Sequence, residues 1–140
     1  MTTATFTNEN AELMALYAQI QQEGNLRTVE HARRWCQGVL RTLGYNLDGR
    51  TKRKLSKALP EEMAAALNNS FKIFPFRDMT ISQQEFLKEV ARRSGHTDAN
   101  FARFPTTAVF RHIKKIIPNE LNQQVARTLP PEVSKLWEQA

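Results

Sequence analysis

KLSKALPEEM, Lys54 to Met63, is echoed seventy residues later by QQVARTLPPEV, Gln123 to Val133. Both stretches set Leu-Pro between a helical pattern and one or two glutamates. Proline at the first position of a helix loses nothing, since the amide it lacks would be unpaired there anyway. Pro60 and Pro130 are therefore expected to open short terminal helices. Glu61, Glu62 and Glu132 suit the positive end of such helices, and Leu59 and Leu129 are expected to turn inward at the corner. The motif reads as a turn between two helices, made twice.

The same seventy-residue register extends outward without a gap. Leu16 and Tyr17 fall on Phe86 and Leu87, Ile20 on Val90, and Val39, Leu40 and Arg41 on Val109, Phe110 and Arg111. Leu43 meets Ile113, Leu47 meets Ile117, Leu55 meets Val125, Met63 meets Val133, and Leu67 meets Trp137. Identities are few but apolar meets apolar, as expected where a buried face is kept and the surface varies. The pattern divides the chain into a first helical repeat over 11–67, an apolar linker over 68–80 and a second repeat over 81–137.

Each repeat reads as four helices. Ser82 with Glu85 is a capping box, Phe86, Leu87 and Val90 form the stripe behind it, and Gly95 ends the helix. In the first repeat Asn10 stands as the cap, followed by Leu13, Leu16, Tyr17 and Ile20, with Gly24 as the stop. A longer helix begins after Thr28 and carries Ala32, Trp35, Cys36, Val39, Leu40 and Leu43 on one face. Its counterpart starts near Asp98 and contains Pro105, so it is expected either to kink there or to restart after a short turn; the kink is favoured. Third helices are expected over Gly49–Ala58 and Pro118–Thr128. Phe71, Ile73, Phe74 and Phe76 make the linker too apolar for a free tether, so it is expected to pack on the repeats. A repeat of this size alone would be marginal. The fold expected is all-α: two tandem four-helix repeats packed into one compact helical bundle.

The segments FLKEVARRSG (Phe86 to Gly95), AVFRHI (Ala108 to Ile113) and TLPPEVSKLW (Thr128 to Trp137) resemble the bacterial domain of unknown function numbered 2267. GVLRTL (Gly38 to Leu43) and ALPEEM (Ala58 to Met63) carry the likeness into the first repeat, where Gly24-Asn25 replaces Ser-Gly. The resemblance implies a small helical unit, often in tandem, and brings no activity or functional residues with it.

Composition bounds the function. The 140 residues are 41% hydrophobic with a net charge of +6. No apolar run approaches the roughly 20 residues that cross a bilayer, and MTTATFTNEN lacks the charged start and apolar block of a secretory signal. One cysteine, Cys36, can form no internal disulfide, which fits a reducing cytoplasm.

Catalytic chemistry finds no footing. His31 and Cys36 are about 140° apart on one helix, not at the i, i+4 spacing of helical metal ligands. His112 reads as part of a solvated flank beside Arg111 and Lys114, and His96-Thr97-Asp98 as a helix cap. Cys36 reads as a core residue. There is no phosphate loop or carboxylate pair, so no catalytic residue, cofactor or metal is expected. The strongest polar feature is RTKRKLSK, Arg50 to Lys57, with five cations and no acid. Arg50, Lys52, Arg53, Lys54 and Lys57, helped by Arg27, Arg33, Arg34 and Arg41, are the candidate polyanion contacts. The leading expectation is a non-catalytic tandem-repeat module that engages another protein, or itself, through exposed grooves or the linker. The alternative is a basic nucleic-acid or polyanion binder using the 50–57 cluster.

Overall fold

The computed structural model describes residues 2–69, 77–96 and 98–140, with side chains from residue 10. Eight helices follow in order: α1 (Thr2–Glu23), α2 (Val29–Tyr45), α3 (Gly49–Ala58), α4 (Glu61–Asn68), α5 (Gln83–Arg93), α6 (Ala99–Ile116), α7 (Asn119–Thr128) and α8 (Pro131–Gln139). No strand occurs among the described residues, and the protein is all-α. The aromatic linker residues Phe71, Ile73, Phe74 and Phe76 lie outside the described residues.

Local chemistry sets most boundaries. Thr28 accepts the amide of His31 at 3.0 Å and starts α2. Asp48 accepts the amide of Thr51 at 2.7 Å and starts α3. Ser82 and Glu85 complete their reciprocal capping box at 3.0 and 3.2 Å. Asp98 accepts from Asn100 and Phe101 at the start of α6. Two helix ends close in the same way: Leu26 N–H bonds Gln21 C=O at 2.9 Å, and His96 N–H bonds Ala91 C=O at 2.8 Å. Each such closure needs one left-handed residue, supplied by Asn25 at φ 59° and Gly95 at φ 78°.

Three sequence expectations change. The chain is already helical before Asn10, from Thr2, so Asn10 is not the cap of α1. Residues 2–9 contain neither Gly nor Pro, and the modest propensity penalties of Thr and Asn do not stop a helix. Pro60, Pro118 and Pro130 stand one position before the first helical residue, each acting through its carbonyl, which accepts from Ala64, Asn122 and Ser134 respectively. Pro131, not Pro130, occupies the first turn of α8. Finally, α6 runs from Ala99 through Pro105 to Ile116 as one helix, which removes the restart alternative. Pro105 is buried, and its Cα would stand 3.2 Å from a Cβ placed on Gly24, so packing against the end of α1 offsets the hydrogen bond the ring forfeits.

A single hydrophobic cluster runs through all eight helices. Trp35, Trp137, Tyr17, Phe86, Phe110, Ile20, Leu40 and Leu43 are its largest fully enclosed side chains. α2 lies at the centre, against α1, α4, α5 and α6. The opening helices of the two halves each reach across: α1 packs on α6 as well as α2, and α5 on α2 as well as α6. The α2–α5 crossing is so close that a Cβ on Gly38 would lie 2.1 Å from Ser94 Oγ. Polar clamps hold the same crossings. Glu23 at the end of α1 meets His112 Nε2 at 2.8 Å and Arg111 at 3.2 Å, while Arg93 at the end of α5 donates to Thr42 Oγ1 at 3.0 Å and lies 4.5 Å over the Tyr45 ring.

Candidate interaction surfaces

α3 arranges the basic cluster. At 3.6 residues per turn, Arg50, Arg53, Lys54 and Lys57 fall on one stripe, while Thr51 and Leu55 turn into the core. All four cations of the stripe are exposed. None of them makes an ion pair within 4 Å among the described residues; the polar contact of Lys54 is with the neutral Gln124 Oε1 of α7, at 3.4 Å. Lys52 is half-buried and lies off the stripe. Asp48, the nearby acid, has its carboxylate occupied by Thr51. Its burial opposes ionisation, yet the hydrogen bonds from Thr51, with Arg77 and Arg50 nearby, hold its pKa below the usual aspartate value.

The α2 arginines do not extend this stripe. Arg33 is committed to Glu62 and also lies 3.6 Å from Glu30. Arg41 is half-buried, with its Nε enclosed. Arg27 and Arg34 are exposed at the opening of α2, the end remote from the turn into α3, where both act on His31.

A second surface lies between α1 and α4. A groove of about 920 Å³ is floored by Leu13, Leu16, Pro60, Ala65 and Ile116, and edged by Glu12, Glu61 and Glu62. Ile116, at the last turn of α6, remains 40% exposed although it is a large aliphatic residue. Glu62 is held from behind by Arg33, and Tyr17 lies beneath. Burial, then the neighbouring Cys36 and Glu62, push the Tyr17 phenol far above its usual pKa, so it stays protonated.

One histidine is placed differently from the sequence expectation. His112 is not on a solvated flank: only about 4% of it is exposed, and it lies between α6 and α1 against Glu23. Its position on the stripe of Pro105, Ala108 and Val109 outweighs its charged chain neighbours. His31 accepts the indole N–H of Trp35 at 3.2 Å, and the His96 ring stacks on Phe101 at 5.5 Å, with Trp35 5.4 Å away. This aromatic group, with Phe104 exposed at its edge, joins α2 to the start of α6. Burial, followed by Arg34, His96 and Arg27, lowers the pKa of His31.

Cys36 is fully buried, and burial with Glu62 pushes its thiol up to about 12, leaving negligible thiolate at neutral pH. Among the described residues no three His, Cys, Asp or Glu side chains gather as a metal site. No helix among them is long and apolar enough to cross a membrane.

One continuous core, eight helices and two exposed surfaces of opposite character define a compact all-helical protein. The chain belongs to the family of uncharacterized conserved proteins DUF2267, whose family model matches residues 14–136. That span contains the segments that carry the resemblance, except Trp137, the last residue of TLPPEVSKLW. Comparison with curated proteins found no match.

Proposed function

We propose that the chain is a non-catalytic tandem-repeat interaction module, and that its α1–α4 groove takes up a basic amphipathic helix of a partner protein. The groove carries this reading: its floor is apolar, and the carboxylates Glu12 and Glu61, without an ion pair among the described residues, stand at its edge. An amphipathic helix would bury leucine-like residues on Leu13, Leu16 and Ile116 and place lysines or arginines beside those carboxylates. The sealed, protonated Cys36 supports a non-catalytic role, and its being the one cysteine of the sequence fits a reducing, cytoplasmic setting.

The tandem arrangement draws its support from register. Helices α2, α3 and α4 begin at Val29, Gly49 and Glu61, and α6, α7 and α8 at Ala99, Asn119 and Pro131, each seventy residues on. Contacts repeat with the partners exchanged: Glu23 reaches His112, and the residue seventy beyond Glu23, Arg93, reaches Thr42, seventy before His112. Lys54 and Gln124, which correspond to one another in that register, touch directly. Such pairings are what a two-fold relation between two like halves produces.

The test is calorimetric titration of the full chain with a designed helical peptide of leucine and lysine. Micromolar binding is expected, falling at least tenfold in Ala65→Arg or Ile116→Glu. A peptide bound equally by the wild type and both variants would remove the groove as its site.

A further inference from the structure

We infer that the exposed stripe of α3 is a docking edge for the phosphate backbone of double-stranded nucleic acid, bound without regard to sequence. This inference does not depend on the groove. Of the other cations, Arg92 and Arg93 pair with Glu89, Arg111 with Glu23, Lys135 with Glu132 and Arg33 with Glu62. Arg27, Arg34, Lys88 and Lys115 are exposed without an ion pair among the described residues but are scattered over α2, α5 and α6 and their approaches. Arg50, Arg53, Lys54 and Lys57 share a single helix face without such a partner. Arg50 and Lys57 are separated by about 10 Å along the axis at 1.5 Å per residue. Measured along the duplex axis, that length covers roughly three rises of 3.4 Å, the positions of about four successive phosphates of one strand.

The neighbouring surface favours this ligand over the alternatives. On α7, beside the stripe, stand Gln123 and Gln124, which are neutral hydrogen-bonding groups, and Arg127 one turn further on, all at least partly exposed; the exposed Glu120 in the first turn of α7 is balanced in charge by Arg127. An acidic lipid surface is a poorer fit. Helices that adsorb to membranes insert apolar side chains next to their cations, whereas Leu55, the large aliphatic residue of α3, is fully buried. Four long, mobile cations in a row hold phosphates but present no fixed pattern of donors to base edges, so they position rather than specify.

The experiment is fluorescence anisotropy with a labelled 20-base-pair duplex of arbitrary sequence, titrated with the full chain at several sodium chloride concentrations. Neutralising about four phosphates predicts a slope of log K on log salt of about −3.6, because each contributes about −0.9. The double variant R53E/K54E should lose more than tenfold in affinity and show a visibly shallower slope. Circular dichroism melting checks that it still folds, as both side chains are exposed. R92E/K135E makes the same change of net charge elsewhere and should leave binding within twofold of wild type. Equal losses in the two double variants would overturn the inference by reducing it to net charge. So would failure of the duplex to bind at 50 mM salt, or binding of phosphatidylserine vesicles in its place.

Discussion

The two halves of the molecule keep the same buried pattern but fill it differently. In the second half Phe86, Phe110 and Trp137 pack ring against ring, with centroids 6.1 and 5.1 Å apart, and α5 closes onto α8. The matching residues of the first half are Leu16, Leu40 and Leu67. Three leucines occupy less space than two phenylalanines and a tryptophan, so Leu16 stays half-exposed and the α1–α4 groove opens. Charge diverges in parallel. α3 presents Arg50, Arg53, Lys54 and Lys57 where α7 presents Glu120, Gln123, Gln124 and Arg127. Core positions are constrained by packing density, whereas surface positions are free to differ. The basic stripe, and all of the groove's lining except Ile116, are accordingly found in the first half.

The comparison can be broken at its common core. Val39→Asp and Val109→Asp each place an unpaired charge at a fully buried position, a cost of several kcal/mol. Because one core joins the halves, either change should abolish the whole cooperative melt seen by circular dichroism. A surviving transition for the unmutated half would show that the halves fold separately. A milder break is Gly38→Val, which forces a side chain into Ser94 at the α2–α5 crossing. Overpacking of this kind costs about 1–3 kcal/mol, and chemical denaturation should show the midpoint falling with the slope unchanged.

Smaller changes sharpen the contrast. Leu16→Phe gives the first half the aromatic side chain of the second. Filling the groove should add about 1 kcal/mol of apolar burial and raise the melting temperature by about 3 °C, while weakening capture of the leucine–lysine peptide. The smallest effect expected is on pH. His31 titrates below its ordinary value of 6.5 in the folded chain, so the unfolded chain binds this proton more readily. The contribution is complete above about pH 6.5 and is lost as the pH falls through the lowered folded value. Replacing His31 by Gln, which keeps an acceptor for the Trp35 indole, should flatten the dependence of melting temperature on pH between 7 and 5.

Much of the fold was legible because its boundaries are local. Asp48 and the Leu59-Pro60 corner bracket α3, Thr28 starts α2, and Ser82 with Glu85 starts α5. The start of α1 was not, since a run of Thr and Asn supplies several possible caps and no breaker. The charged chain neighbours of His112 hide its helical phase: it stands three and four residues from Val109 and Ala108, on the buried side. The α3 stripe could be read from spacing alone, although the commitment of Arg33 to Glu62, twenty-nine residues away, could not. Least legible was the groove. It arises from a deficit of side-chain volume between helices distant in sequence, and no motif marks such a deficit.

The crossing of α1 onto α6 and of α5 onto α2 also bears on how such a chain could arise. On the tandem-repeat proposal, a single unit would leave its opening helix half-covered and would complete itself by trading that helix with a twin. Its folding would then be second order and fail on dilution. Joining two such units in one polypeptide makes the exchange intramolecular, so assembly no longer depends on how many copies the cell makes.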